Sequence, residues 1–224
     1  MVPLGDLAVY AEFSGTLDPK VNGLVQRLAA AVQERALAGV HDVVPALGGL
    51  ALYFSPRFEG DPLAYAAGLV EDCLNRLPPA ASIGRDVEVP VCYDEEFGID
   101  LAEVSERTRI PREAIGELHS SASYRVLMIG FAPGHAYLGG LDPKLSVPRR
   151  ATPRTLVPAG SVAIANEQTV VYPYAIPGGW NVIGRTPLKV FDASRSSPSL
   201  FAAGDRVRFR AISRDEYEAI GAAA

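Results

Sequence analysis

The chain is poor in the residue types that build disulfide and metal sites. Its 224 residues include two cysteines, Cys73 and Cys92, which lie far apart in a helix pattern and a strand pattern. That spacing provides neither a disulfide framework nor a C-x-x-C metal site. The three histidines are scattered, without the H-x-x-x-H spacing of a zinc site. We therefore expect two buried packing thiols and no metal site in this chain.

Long hydrophobic runs and nucleotide-binding motifs are also missing. No apolar stretch approaches the roughly 20 residues of a membrane helix, and no basic segment precedes the short apolar run at the N-terminus. The sequence has no G-x-x-x-x-G-K-[ST] loop, no G-x-G-x-x-G turn and no G-x-S-x-G nucleophile elbow. We expect a cytoplasmic protein that does not contact a membrane and that carries neither a phosphate loop nor a serine-hydrolase cassette.

Basic side chains are in the minority but are concentrated in one segment. The net charge of −5 argues against general nucleic-acid binding. Residues 143–191 nevertheless carry six basic side chains and one acidic one, a net charge of +5, so the rest of the chain carries −10. A local cationic surface suits a small anion, such as a carboxylate or phosphate, or an acidic partner. The alternative is a solvated face whose compensating acids lie nearby in space.

The first part of the chain alternates strand and helix patterns. The predicted elements are a strand at 6–13, a helix at 18–37, strands at 40–47 and 49–55, and a helix at 61–77. This order suits a ferredoxin-like α+β domain, with residues 87–93 as a candidate last strand. The Pro-rich segment 78–84 is the best boundary, which gives domains at 1–82 and 83–224.

The second part predicts two short helices followed by strands. Residues 99–121 superficially resemble a helix-turn-helix, but residues 94–117 hold eight acids against three arginines, which argues against DNA recognition. From Tyr124 onward, short strands alternate with Gly/Pro-rich turns, and a last helix follows. Many short strands with helices only at the ends are typical of a closed or nearly closed all-β barrel.

Two irregular runs in the barrel region, 130–161 and 172–187, are candidate binding loops. They space large apolar residues between rigid prolines and permissive glycines, unlike a disordered linker. Long ordered loops of this kind are usually functional. Together they predict a pocket with aromatic walls, backbone N–H donors and an arginine clamp for a carboxylate or similar planar anion. The alternative for Trp180 is a barrel-core anchor.

The candidate site residues come from these runs and their flanks. The candidates for substrate binding are Phe131, His135, Arg149, Arg154, Gln168, Tyr172, Trp180 and Arg185. The candidate catalytic acid/base groups are His119, just before the barrel, and Glu167, in a polar turn. The alternative for isolated polar residues in turns is a structural role.

Distinct roles follow from the residue types. We expect Arg149 and Arg154 to hold an anion, and Tyr172 and Trp180 to form apolar walls. We expect Gln168 and His119 to make polar contacts with the substrate.

Between His119 and Asp192 the sequence carries a dense series of motifs: GFAPG, YLGGL, PRRATPRTLVPAGS, EQT, PGGW and IGRTP. As a string they resemble the signature of the family of KipI and the 5-oxoprolinase B subunit, also called allophanate hydrolase subunit 1 or the carboxyltransferase C/D domain. The resemblance implies a ferredoxin-like N-terminal domain followed by a cyclophilin-like β-barrel. The chain departs from the pattern at His135, where relatives usually have an aromatic residue.

The resemblance also implies a function within an assembly. It implies one component of an ATP-dependent amide hydrolase that opens the lactam of 5-oxoproline to glutamate. The implied partners are a second cyclophilin-like subunit, of the 5-oxoprolinase C-subunit or allophanate hydrolase subunit 2 type, and a third component, the A subunit of 5-oxoprolinase. ATP is then used by the complex, with binding by this chain left open. The alternative is an interaction module that inhibits a histidine kinase, as another relative does.

Overall fold

The computed structural model describes residues 1–77 and 84–223. Contacts between backbone positions divide the chain into two compact units, residues 1–83 and 84–224. The predicted domain boundary, between residues 82 and 83, lies outside the described residues. No helix within the described ranges is long and apolar enough to cross a membrane.

The first unit is a four-stranded antiparallel sheet with two helices. Its elements are β1 (Val2–Pro3), β2 (Ala8–Glu12), α1 (Pro19–Glu34), β3 (Val40–Pro45), β4 (Gly49–Phe54) and α2 (Pro62–Arg76). The strand order is β1-β2-β4-β3. Both helices begin at an Asp-Pro pair, where the carboxylates of Asp18 and Asp61 accept hydrogen bonds from first-turn amides. These N-caps satisfy donors that have no partner inside the helix.

One face of this sheet packs against both helices. Alternate residues of β4, Leu50, Leu52 and Phe54, share a buried cluster with Leu28 of α1 and Leu69 of α2. Because side chains two residues apart lie on the same face of a strand, this pattern assigns one face to the helices. Burial of side chains of this size contributes about 1.5–3 kcal/mol each.

The second unit is built around a curled, half-barrel sheet of seven strands. Its helices are α3 (Leu101–Thr108), α4 (Arg112–Ser121) and α5 (Arg214–Ala223). Its strands are β5 (Asp86–Val91), β6 (Ser123–Ile129), β7 (Ala136–Gly139), β8 (Arg154–Val157), β9 (Ser161–Ala165), β10 (Gln168–Val171), β11 (Ile176–Gly178), β12 (Asn181–Arg185) and β13 (Arg206–Ala211). The sheet order is β12-β9-β10-β7-β6-β13-β5, and β8 and β11 form a separate two-stranded ribbon.

The sheet curls until its two edge strands meet. Cys92, just after β5, and Arg185, in β12, exchange two backbone hydrogen bonds of 2.9 Å. The expectation that residues 87–93 complete the first sheet is wrong, because β5 pairs in parallel with β13 along its whole length. Val89 and Val91 are buried in the main core of the second unit, so this pairing also covers their apolar side chains.

Strands β9 and β10 are buried on both faces. Val162, Ile164 and Val171 belong to the main core, whereas Ala163 and Val170 belong to a second cluster that also holds Tyr172, Trp180 and Val157 of β8. The ribbon of β8 and β11 therefore covers the opposite face of the sheet from the main core. The two irregular runs of the sequence supply this ribbon and its flanking loops.

Candidate substrate-binding cleft

A cleft of about 290 Å³ opens beside the ribbon of β8 and β11. Its lining comes from the two irregular runs: Phe131, His135, Tyr137, Arg149, Arg150, Pro153, Tyr172, Pro177, Gly178, Gly179 and Trp180. The structure thus brings together five of the ten predicted site residues. The cleft lies on the second buried face of the sheet, where Tyr137 packs against the cluster of Tyr172 and Trp180.

Aromatic rings form the walls of this cleft. The ring of His135 lies 5.4 Å from that of Phe131, 5.0 Å from that of Tyr137 and 5.4 Å from that of Tyr172, all edge to face. Tyr137 makes a similar contact with Trp180 at 6.0 Å. Such edge-to-face pairs fix ring positions, since the edge of one ring meets the electron-rich face of the next.

Phe131 stands at the cleft with an unusual backbone. Its side chain is 70% exposed, and its φ of +72° lies in a region that side-chain-bearing residues rarely adopt. The turn around it is closed by hydrogen bonds from Gly130 N–H to the His135 carbonyl and from His135 N–H to the Ala132 carbonyl, both 3.0 Å. Strain held by such contacts is typical of functional loops.

The imidazole of His135 is enclosed in the aromatic wall. It is 2% exposed, and its Nδ1 is buried without a hydrogen-bond partner among the described residues. Burial lowers the pKa of His135 from its ordinary value to about 4. The side chain is therefore neutral at pH 7, with one ring nitrogen that donates and one that accepts.

Arg149 is the cation at the cleft that has no ion pair with a carboxylate of the described residues. Its guanidinium lies 5.4 Å from the centre of the Trp180 ring, within the range of a cation–π contact. An exposed guanidinium with free donors can bind a carboxylate in a bidentate manner. Of the two arginines predicted to bind an anion, Arg149 therefore lies at the cleft.

Arg154, the other predicted clamp residue, is already engaged. Its guanidinium donates to both carboxylate oxygens of Asp100, at 2.8 and 2.6 Å. Arg150, which does line the cleft, donates to Asp100 at 2.6 Å and to Glu103 at 2.5 Å. Asp100 is 3% exposed and also accepts the backbone N–H of Val182 at 2.7 Å. The sequence predicted that Arg154 binds the substrate. In the structure, Arg154 instead shares the carboxylate of Asp100 with Arg150.

Close backbone packing shapes the floor of the cleft. A Cβ atom on Gly178 would overlap the hydroxyl group of Tyr172, whereas one on Gly179 would make ordinary contacts with Pro153. Arg150 N–H donates to the carbonyl of Gly179 at 2.8 Å, which ties the two irregular runs together. The PGGW motif therefore lets the ribbon approach the aromatic wall.

His119 does not reach the cleft. It is fully buried in α4, with Nδ1 at 2.7 Å from the Tyr93 hydroxyl and Nε2 at 3.0 Å from the Thr169 hydroxyl. Burial lowers the pKa of His119 from its ordinary value to about 3. His119, the predicted acid/base residue, therefore has the surroundings of a core histidine, because both ring nitrogens have hydrogen-bond partners.

The remaining predicted site residues also lie outside the cleft lining. Glu167 is exposed in the turn between β9 and β10, and Gln168 begins β10 opposite Gly139, at the far end of the strand from Tyr172. The Arg185 guanidinium lies 5.0 Å from the centre of the Phe97 ring. The turn at Glu167 was predicted, but the direction of β10, which places this turn far from Tyr172, was not resolved by the sequence pattern.

Sequence reasoning missed several residues that build the site. Tyr137 and Arg150 line the cleft, and Asp100 holds two arginines beside it. Asp100 precedes α3 and has the sequence position of an N-cap, yet its side chain makes no capping hydrogen bond. No sequence signal identifies Asp100, because its pairing with the cationic segment depends on positions in space that sequence spacing does not reveal.

No metal site accompanies the cleft in the part of the chain that the structure describes, where no three His, Cys, Asp or Glu side chains are grouped to hold an ion. The cleft itself presents aromatic rings, two arginines, a neutral imidazole and backbone groups. It is equipped to bind a small anion with an apolar or cyclic body.

The chain resembles known proteins over nearly its whole length. The family model for the carboxyltransferase domain, subdomain C and D, matches residues 1–201. The B subunit of 5-oxoprolinase from Bacillus subtilis (strain 168) is 38% identical over 225 residues, which cover 96% of this chain and 94% of that protein.

Two solved structures show the same architecture inside longer chains. The crystal structure of TTHA0988 is 38% identical with a TM-score of 0.80, and the match covers 92% of this chain but 40% of that one. The urea carboxylase of Kluyveromyces lactis has a TM-score of 0.71 at 18% identity, with 96% of this chain and 22% of that one covered. The second likeness concerns the fold alone. By the family model and the Bacillus subtilis relative, the chain belongs to the carboxyltransferase C/D-domain family that includes the 5-oxoprolinase B subunit, which confirms the resemblance seen in its motifs.

Proposed function

We propose that this chain is the substrate-recognising subunit of a composite amide hydrolase that opens 5-oxoproline to glutamate. The observation that carries the proposal is Arg149, a cation without an ion pair to any described carboxylate, at an aromatic cleft of about 290 Å³. The 38% identity to a 5-oxoprolinase B subunit supports the choice of substrate. A small ring with one carboxylate fits both the charge and the walls of the cleft.

In this proposal Arg149 binds the carboxylate of 5-oxoproline. Tyr137, Tyr172 and Trp180 contact the five-membered ring, and Arg150, held by Asp100 and Glu103, lines the cleft beside them. These residues bind and orient the substrate and keep water from its apolar face. The predicted roles of His119 and Glu167 in acid/base chemistry stay untested predictions, and the surroundings of His119 favour a structural role.

The hydrolysis is proposed to need partner subunits. The sequence has no phosphate loop, so we assign no step of the reaction to nucleotide on this chain. ATP is proposed to be used by the complex. The proposed partners, in the cytoplasm, are a second cyclophilin-like subunit, of the C-subunit type, and the A subunit of 5-oxoprolinase. The longer chains of the two structural relatives, in which this architecture is one part, support such an assembly.

Two finer assignments of the fold belong to the same proposal. The first unit would be a variant ferredoxin-like domain, because β2-α1-β3-β4-α2 has the right order and β1 occupies the edge of the fourth strand. The second unit would be a cyclophilin-like barrel. Both are supported by the topology and by family membership.

The proposal is tested by co-expressing the chain with the A and C subunits of a 5-oxoprolinase. The purified complex should hydrolyse ATP only when 5-oxoproline is present, with glutamate formed. Urea and allophanate serve as alternative substrates. ATP hydrolysis that responds to none of the three would contradict the proposal and would favour the alternative of a kinase inhibitor.

A further inference from the structure

The enclosed Nδ1 of His135 is a hydrogen-bonding group without a partner on any other described residue. The side chain is 2% exposed, and Nδ1 has no acceptor or donor among the described residues. Buried polar groups in native proteins are normally satisfied, so each exception calls for an explanation. The proposed function gives Nδ1 of His135 no role.

The imidazole is held in a fixed position at the cleft. Three rings, of Phe131, Tyr137 and Tyr172, surround it at 5.0 to 5.4 Å. Its own backbone is fixed on both sides of the turn by hydrogen bonds to Ala132 and from Gly130. A polar group immobilised in this way can discriminate ligands, because it cannot move away to find another partner.

The charge of the surroundings suits a neutral ligand group. The titratable side chains that line the cleft with His135 are Tyr137, Tyr172, Arg149 and Arg150, with no acid among them. Burial disfavours the imidazolium form. The neutral ring has one nitrogen that donates and one that accepts, and an amide can pair with the first through its carbonyl or with the second through its N–H.

We propose that His135 is a specificity-determining residue that hydrogen-bonds the neutral amide of a ligand whose carboxylate is bound by Arg149. The cleft then selects small molecules that carry both groups. This inference rests on the proposed function for the class of ligand. It adds that the amide is recognised by this chain, before any partner acts on it.

The test compares two ligands that differ in the amide alone. Affinities of 5-oxoproline and cyclopentanecarboxylate, which keeps the ring and the carboxylate, are measured by titration calorimetry without ATP. Measurements use the full chain alone and the assembled complex. His135→Phe removes both ring nitrogens, and His135→Gln retains a donor and an acceptor. The fluorescence of Trp180 and circular dichroism check that each variant is folded.

We expect the wild type to prefer 5-oxoproline by at least about tenfold, because a site built around a hydrogen bond rejects an analogue that lacks it. His135→Phe should bind both ligands alike, with an unchanged affinity for cyclopentanecarboxylate, and His135→Gln should keep part of the preference. Equal binding of the two ligands by the wild type, or an unchanged preference in His135→Phe, overturns the inference. Failure to bind either ligand overturns it as well.

A spectroscopic measurement on the wild type covers the case in which the variants do not fold. The ¹⁵N resonances of the His135 ring should shift on addition of 5-oxoproline and not of cyclopentanecarboxylate. Unchanged resonances overturn the inference. ATP hydrolysis in the same preparations separates the two proposals: discrimination without turnover removes only the proposed function, whereas full turnover by His135→Phe removes only the role of His135.

Discussion

Asp100 and Arg154 form a bidentate ion pair, with donor–acceptor distances of 2.6 and 2.8 Å, in which the carboxylate is almost completely buried. The same carboxylate holds Arg150 at the cleft. The segment that appears as an isolated cationic run in the sequence is thus partly neutralised by an acid some fifty residues earlier. The alternative that nearby acids compensate the cationic segment therefore holds for Arg150 and Arg154 and not for Arg149.

We expect Asp100→Asn to destabilise the second unit by about 3 kcal/mol, because it removes one partner from a buried charge pair. It should also weaken binding of 5-oxoproline, since Arg150 loses one of its two carboxylate partners. Urea unfolding followed by Trp180 fluorescence measures the first effect. Glu95→Gln, which breaks an exposed ion pair with Arg112, is the matched control and should change little. Equal stability of the two variants would contradict this role for Asp100.

Phe131→Ala should leave the fold intact and reduce assembly. The Phe131 side chain is 70% exposed, so removing the ring loses little buried apolar surface. The φ of Phe131 is positive, so the loop is already strained before the substitution. If the exposed ring packs against a partner subunit, affinity for that partner should fall at least about tenfold. Analytical ultracentrifugation of mixtures measures it, and Tyr53→Ala, at 39% exposure in the first unit, is the control. An unchanged affinity would place the partner surface elsewhere.

Gly178→Ala should disturb the cleft, whereas Gly179→Ala should not. The new methyl group at Gly178 would overlap the hydroxyl of Tyr172, which sits on a rigid ring, so the ribbon or the wall has to move. We expect a lower melting temperature and at least about tenfold weaker binding of 5-oxoproline. Similar behaviour of the two variants, measured by thermal denaturation and calorimetry, would show that this packing is unimportant.

The second unit should lose stability in acid through His119. Burial lowers the pKa of the folded side chain from 6.5 to about 3, so between these values the unfolded chain binds a proton that the folded chain excludes. The contribution is fully present above pH 6.5 and is lost as the pH falls, by about 1.4 kcal/mol per pH unit within that window.

His119→Phe tests this assignment. It should be less stable than the wild type at pH 7, because the hydroxyl groups of Tyr93 and Thr169 lose their partner. The pH dependence of its unfolding free energy between pH 4 and 6 should be shallower. His41→Gln, an exposed histidine in the first unit, serves as the control. An unchanged slope in His119→Phe would indicate that this histidine is protonated in the folded state.

Periodic elements were predictable from the sequence, and interactions between distant segments were not. The pattern predicted both helices of the first unit, with starts at residues 18 and 61, and the short strands that follow Tyr124. The strands β7, β8 and β11 lie in the Pro/Gly-rich runs, where short pairings follow from tertiary contacts rather than from local pattern. The partner of β5 was misassigned because a strand pattern does not specify its neighbour.

The same division applies to the site. Prolines, glycines and aromatic residues indicated which loops would form the cleft, and five predicted residues line it. Which arginine stays free depends on where Asp100 and Glu103 lie in space, and the sequence assigned equal roles to Arg149 and Arg154. The buried position of His119 depends on the packing of α4 against the sheet, which no local pattern shows.

The central claim is that Arg149 binds the carboxylate of the substrate, and the most direct measurement is the dissociation constant of 5-oxoproline for the assembled complex with Arg149→Gln. We predict binding at least about tenfold weaker than in the wild type, with an unchanged melting temperature, because the exposed guanidinium holds no carboxylate of the described fold. Arg57→Gln, an exposed arginine of the first unit, should bind as the wild type does. Wild-type affinity in Arg149→Gln would contradict the account.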